Sequence, residues 1–233
     1  MFMATATARA IKSSDDTCTR FLDAAEQLFN IHGYDGTKIR AIAKLSNANL
    51  SVLSQYWGSK RELFRNAFER RLRPIRDEEI RRLTLLREAL DRGEAVALEA
   101  VLRAKIEPTF LAAGVASDEA DRRRLLIGRA QIDPCPDVVE LLGELFSDTG
   151  NLFFPLLRSA CGHLGPAEFY WRSSCIAGAF TFVAAYYERP AQFIDEDLSE
   201  VNWADATDYV IGCLMAAMQA PAITPSSVHA TRA

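Results

Sequence analysis

Between Phe21 and Phe64 the apolar residues fall into short stripes interrupted by turn formers. Phe21, Leu22, Ala25, Leu28 and Phe29 recur at the three- and four-residue spacing of one helix face, with Arg20, Asp23, Glu26 and Gln27 on the other. Gly33 is the expected stop, because glycine enters a left-handed cap without steric cost, and Tyr34 is placed to fold back onto the small core. Ile39, Ile42, Ala43 and Leu45 mark a short second helix, with Thr37 as its expected N-cap. Ser46-Asn47-Ala48 supplies a turn in which Asn47 tolerates positive φ. Asn49 then caps a third helix, from Leu50 to about Trp57, in which Val52, Leu53 and Tyr56 face inward or flank the core and Ser51, Ser54 and Gln55 are left outside. Gly58 closes it, and Ser59-Lys60-Arg61-Glu62 reads as the capping box of a long helix. This order is that of a helix-turn-helix, which offers the N-terminal part of its second helix to the major groove of DNA.

Beyond Ser59 the helical period continues to about Asp91, with a kink expected at Pro74. Further helices are expected at about 94–113, 118–131, 137–161, 166–187 and 202–219, bounded by Gly93, Gly114, Pro134, Pro136, Gly165, Pro190 and Pro221. Pro155 should bend or split the third of these. No strand alternation of useful length occurs, so the fold class is all-α. The expected organisation is a weakly basic disordered arm over 1–15, a helix-turn-helix domain over 16–64, a larger helical domain over 65–220, and a disordered tail over 221–233.

Composition changes this picture little: of 233 residues, 49% are hydrophobic and 25% charged, as in ordinary globular proteins. No apolar run approaches the roughly 18 residues a membrane helix needs, and no signal peptide is legible, so a cytoplasmic protein is expected. Five scattered cysteines and three histidines give no metal spacing, and no cofactor is expected. Neither a Gly-rich phosphate loop nor a GxSxG motif is present, which argues against an enzyme. The net charge of −4 is unevenly spread. Through residue 65 there are nine basic and six acidic residues, leaving eighteen and twenty-five in the remainder, so a net +3 head sits on a −7 body. Such a head suits local phosphate contact.

With GYDGTKIRAIA and LSQYWGSKRELF as its most specific stretches, the segment resembles the DNA-binding domain of the TetR family of bacterial transcriptional regulators. The resemblance implies a homodimer whose affinity for a double-stranded DNA operator falls when a small-molecule effector occupies the helical body. It places Thr37, Lys38 and Arg40 where the family touches phosphates, and Asn49, Ser51, Ser54, Gln55 and Tyr56 on the recognition helix and its flanks. Lys60 would stand at the start of the next helix, where an amine and backbone amides can both meet a phosphate. Gln55 is the candidate base reader, since glutamine can bridge adenine N6 and N7. Three residues depart from the family pattern: Asn47 replaces a turn glycine, Leu50 a basic or small polar residue, and Ser54 a common aromatic.

In the body, the segments around 169–187 and 203–219 are apolar around most of their circumference, as expected of helices that pair across a two-fold axis. Ala177, Phe180, Ala184, Tyr209, Gly212 and Ala216 are the expected interface positions. Phe110, Arg129, Gln131, Phe153, Trp171 and Arg172 are the candidate effector contacts, aromatic walls with polar anchors. Two other readings stay open: a helical interaction protein, kept alive by Leu50 and Ser54, and a thiol-based redox sensor using Cys18 or Cys135.

Overall fold

A computed structural model describes residues 2–113, 118–187, 189, 193 and 202–223, with side chains from residue 16 onward except those of 113, 118, 119 and 121. The described residues form helices α1 (Phe2–Gly36), α2 (Ile39–Leu45), α3 (Ser51–Tyr56), α4 (Lys60–Asp91), α5 (Leu98–Ala113), α6 (Asp118–Gln131), α7 (Pro136–Ala160), α8 (Pro166–Tyr186) and α9 (Trp203–Gln219), and no strand. None of these helices is long and apolar enough to cross a membrane.

The helix boundaries follow from local chemistry. The Ser59 hydroxyl accepts the Glu62 amide at 3.1 Å and starts α4 as expected. Asn49 accepts the Ser51 amide at 3.0 Å, capping α3 from one residue further out than its helical limit. Asn47 has φ 50, the positive value its turn demanded, and Asn202 caps α9 through the Ala204 and Asp205 amides. Gly33 interrupts α1 with φ 71 and ψ −177. This is an extended mirror-image conformation open essentially to glycine alone, and not the left-handed cap expected there.

Several expectations are corrected. Residues 2–15, expected as a disordered arm, continue α1 as helix; alternating alanines give that stretch good helix propensity. Thr37 does not cap α2: it is buried, and its hydroxyl points inward to the carbonyls of Gly33 at 2.7 Å and Leu28 at 3.0 Å. Glu26, placed on the polar face of α1 by periodicity, is buried between Arg70 and Arg71 of α4. Helix α7 continues through Pro155, so the splitting given as one alternative there does not occur, and α4 continues through Pro74. Helix α5 begins at Leu98, four residues later than the pattern suggested, after the turn at Gly93. Of the expected tail, 224–233 lies outside the described residues.

Two apolar clusters organise the chain. In the first, Phe21, Phe29, Tyr34, Ile42, Phe64 and Phe68 of the head pack with Leu126, Val138, Leu141 and Leu145 of α6 and α7. Phe29 and Phe64 meet edge to face at 4.8 Å, as do Tyr34 and Phe64 at 5.2 Å. The second cluster gathers Leu83, Leu102, Ile106, Phe110, Leu156, Leu157, Ile211, Leu214 and Met218 from α4, α5, α7 and α9. Burying each such side chain contributes about 1.5–3 kcal/mol. Because α6 and α7 supply part of the first cluster, the head docks on the body through a shared core.

Candidate functional site

Helices α2 and α3 are amphipathic in opposite senses to solvent and core. Ile42, Ala43 and Val52 are buried, which leaves Lys38, Arg40, Lys44, Asn49, Ser51, Ser54, Gln55 and Tyr56 exposed together. Lys44 belongs to this group and periodicity could have found it, since it stands four residues after Arg40 on the same helix face. Leu50 is also exposed, at 45%, in the same region. Arg61 and Arg65, by contrast, are held by Glu144 of α7 and add no open charge to this face.

Lys60 is half-buried, with its Nζ 4.4 Å from the centre of the Tyr34 ring. Burial lowers the pKa of that ammonium while Asp35 opposes the shift. The Tyr34 phenol is pushed up to about 12, first by burial and then by Asp137, so a neutral ring lies under the cation. Thr37 alone among the expected phosphate contacts has no side-chain surface to offer.

The body contains a partly open cavity of about 260 Å³ lined by α4, α5, α6, α7 and α8. Ile75, Ile106, Ile127, Phe146, Phe153 and Phe180 give it apolar walls. Glu79 is buried against it and ion-paired with Lys105 at 2.5 Å; burial raises the Glu79 pKa against the pull of that ammonium. Of the expected effector contacts, Phe153 and Gln131 line this cavity. Phe110 is fully buried beside it, packed on Phe180 and Trp203. Trp171 is 67% exposed on the outer face of α8, too far round the helix to reach the cavity. Arg172 caps the C-terminal end of α9 through the carbonyls of Ala217 and Ala220, and its other nitrogen holds Glu168.

Arg129 is placed differently again. It donates to the Asn30 carbonyl of α1 at 3.3 Å, and the Asn30 amide in turn donates to the Arg122 carbonyl at 3.0 Å. Just beyond α6, Asp133 accepts the Tyr34 amide at 3.3 Å and the Cys135 amide at 3.0 Å. A Cβ on Gly33 would lie 3.2 Å from the Arg129 guanidinium, so glycine here also permits close approach. The helix that walls the cavity is therefore bonded to the head through Arg122 and Arg129, and through Asp133 just beyond its end. Sequence periodicity carried no signal for Asn30 or Asp133, whose partners lie 92 and 99 residues away.

The outer faces of α8 and α9 leave Tyr170, Trp171, Cys175, Gly178, Phe182, Tyr209, Gly212, Cys213 and Ala216 exposed. An apolar surface of this extent is characteristic of a protein contact. Of the expected interface positions, Tyr209, Gly212 and Ala216 stand on it; Ala177 lies at its border, while Phe180 and Ala184 turn toward the cavity. Cys135 is buried, with its thiol 3.5 Å from Asp35, and not in the open position that a redox sensor requires.

Comparison with known proteins gives matches at two levels. Residues 21–67 match the model of bacterial regulatory proteins of the tetR family, and residues 103–217 match that of the Tetracyclin repressor-like C-terminal domain. Among solved structures, NalD of Pseudomonas aeruginosa, the secondary repressor of a multidrug efflux pump, superposes with a TM-score of 0.55 at 17% identity, covering 87% of this chain and 97% of that one. The fatty acid degradation regulator FadR of Bacillus halodurans gives 0.53 at 17% identity, covering 84% and 97%. A TetR-like transcriptional regulator from Rhodococcus sp. RHA1 gives 0.52 at 22% identity, covering 87% and 95%. At these identities the structures share the fold. No match was found among curated proteins.

Proposed function

The chain belongs to the TetR family of bacterial transcriptional regulators, and on that premise we propose that it is a homodimeric repressor released from its operator by a small molecule. The observation that carries this reading is the double engagement of α6, which walls the cavity through Ile127 and Gln131 and bonds to α1 through Arg122 and Arg129. A molecule in the cavity acts on α6 and thereby on the seating of the head. Pairing of the exposed α8 and α9 faces across a two-fold axis presents two heads to a pseudo-palindromic site. Lys38, Arg40 and Lys44 then meet phosphates, Gln55 reaches a base edge, and the first amides of α4 with Lys60 close on the backbone. The effector binds more tightly to the subunit arrangement that does not fit DNA, and a coupling of about 1–3 kcal/mol changes affinity about 5- to 150-fold.

The test is fluorescence anisotropy with labelled DNA from upstream of the protein's own gene and from a genomic fragment library, against shuffled DNA, over a salt series. Selective binding with two chains per site supports the reading. Equal, weak binding to every fragment refutes it and favours a helical interaction protein.

A further inference from the structure

Resting on the reading of this cavity as the effector site, we propose that its ligand is an uncharged hydroxyl compound, an alcohol or phenol on a compact apolar body, whose hydroxyl is read by Glu79 and Lys105. The two residues reach the cavity from different helices, Glu79 from α4 and Lys105 from α5, and meet at 2.5 Å. The same two helices bring Leu72, Ile75 and Ile106 to the cavity, so the pair is a polar point in an apolar wall. Burying such a pair contributes little to stability, because desolvating two charges offsets their attraction.

Lys105 donates to Oε2 of Glu79, and neither side chain makes another hydrogen bond among the described residues. Oε1 of Glu79 is therefore still able to accept, and the ammonium still has protons to give. Its Nζ lies 5.5 Å from the centre of the Phe146 ring, itself part of the cavity wall, which puts the ammonium on the cavity side of α5.

This arrangement selects the polar group of the ligand. A hydroxyl oxygen accepts from Lys105 and donates its proton to Oε1, and the ion pair stays intact. A carboxylate instead competes with Glu79 for the ammonium, and an amine competes with Lys105 for the carboxyl. Either leaves a buried group without its partner, which is costly. An ether or ketone accepts from Lys105 but brings no proton for Oε1. A cavity of about 150 Å³ holds benzene, so about 260 Å³ suits a body of one or two rings.

Four probes on one ring system test this by fluorescence titration of the full chain at neutral pH: 2-naphthol, 2-methoxynaphthalene, naphthalene and 2-naphthoate. 2-Naphthol is expected to bind about tenfold more tightly than each of the others, the worth of one hydrogen bond to a charged group. Glu79→Gln keeps an oxygen for Lys105 but turns an amide donor toward the ligand. The advantage of naphthol over methoxynaphthalene should then disappear, with methoxynaphthalene binding as before. Should that variant not fold, Glu79→Leu combined with Lys105→Met replaces the pair as a unit, and the three uncharged probes should bind it alike. A naphthol preference retained in either variant would overturn the proposal. So would methoxynaphthalene or naphthoate binding the unaltered chain as tightly as naphthol, or no binding of naphthol at all. Operator affinity in the same mixtures separates this from the parent reading. Selective naphthol binding that leaves operator affinity unchanged defeats the effector role and leaves the ligand class standing. Operator release by naphthalene or naphthoate without any naphthol preference does the reverse.

Discussion

The head and the body are built from the same kind of helix, yet one is packed solid and the other is hollow. In the head, Phe21, Phe29, Tyr34, Phe64 and Phe68 pack into one filled core, with edge-to-face contacts of Phe29 and Tyr34 on Phe64. In the body, five helices line about 260 Å³ of free space, and two of its helices leave apolar faces uncovered. A filled core holds a rigid reading surface, because close-packed side chains have nowhere to move. A hollow one leaves the spacing of its walls open to whatever enters. Helix α6 belongs to both, contributing Leu126 and Ala130 to the filled core and Ile127 and Gln131 to the cavity.

The largest effect expected from this contrast is on stability. Phe29→Ala in the head should cost about 3–5 kcal/mol, as for a fully buried aromatic. Phe153→Ala, which enlarges a space already present, should cost less, at or below about 3 kcal/mol, both read from urea unfolding of the dimer. Equal costs would remove the distinction between a filled and a hollow core.

Next in size is Gly128→Ala. Its added Cβ would lie 2.0 Å from the Ala185 Cβ, so α6 and α8 must separate. We expect a loss of about 1–3 kcal/mol by the same measurement, recovered in the double variant with Ala185→Gly. Failure of Ala185→Gly to restore stability would show that the two helices are not in contact there.

Loss of one cap is smaller. Ser59→Ala should lower stability by about 1 kcal/mol, because the Glu62 amide loses its partner at the start of α4. The smallest effect is electrostatic and confined to the reading face. Lys44→Ala should leave unfolding unchanged and reduce the slope of log affinity against log salt by about 0.9, equally for every DNA sequence. A change in sequence preference would instead make Lys44 a base reader.

The sequence made the head legible because its signals are local. Asn47, Asn49, Ser59 and Gly33 each act on backbone groups within a few residues, and the apolar stripes of α2 and α3 need no distant partner to be read. Where local rules failed in the head, a distant or buried partner had overruled them. Glu26 looks like a solvent-facing residue until Arg70 and Arg71 arrive from 44 and 45 residues away. Thr37 looks like a cap until its hydroxyl is taken by Gly33.

The body was legible as helices but not as a site. Periodicity separates buried from exposed positions, yet it cannot separate a side chain that fills a core from one that lines a void. That is why Phe153 and Gln131 reached the cavity while Phe110, Trp171 and Arg172 did not. The same limit hid the two roles of α8, whose Phe180 and Ala184 face the cavity while Tyr170 and Phe182 face out. Arg129, expected as a polar anchor for an effector, donates instead to the Asn30 carbonyl of the head.

If α6 couples the two regions, linkage requires that DNA at the head be felt at the cavity, since coupling is reciprocal. The most direct measurement is amide hydrogen exchange of the intact dimer with and without its selected operator DNA. The account predicts altered exchange along residues 120–131 of α6 and at the Tyr34 amide held by Asp133, in addition to protection of α2 and α3. Protection confined to residues 37–60, with α6 exchanging identically in both states, would contradict it.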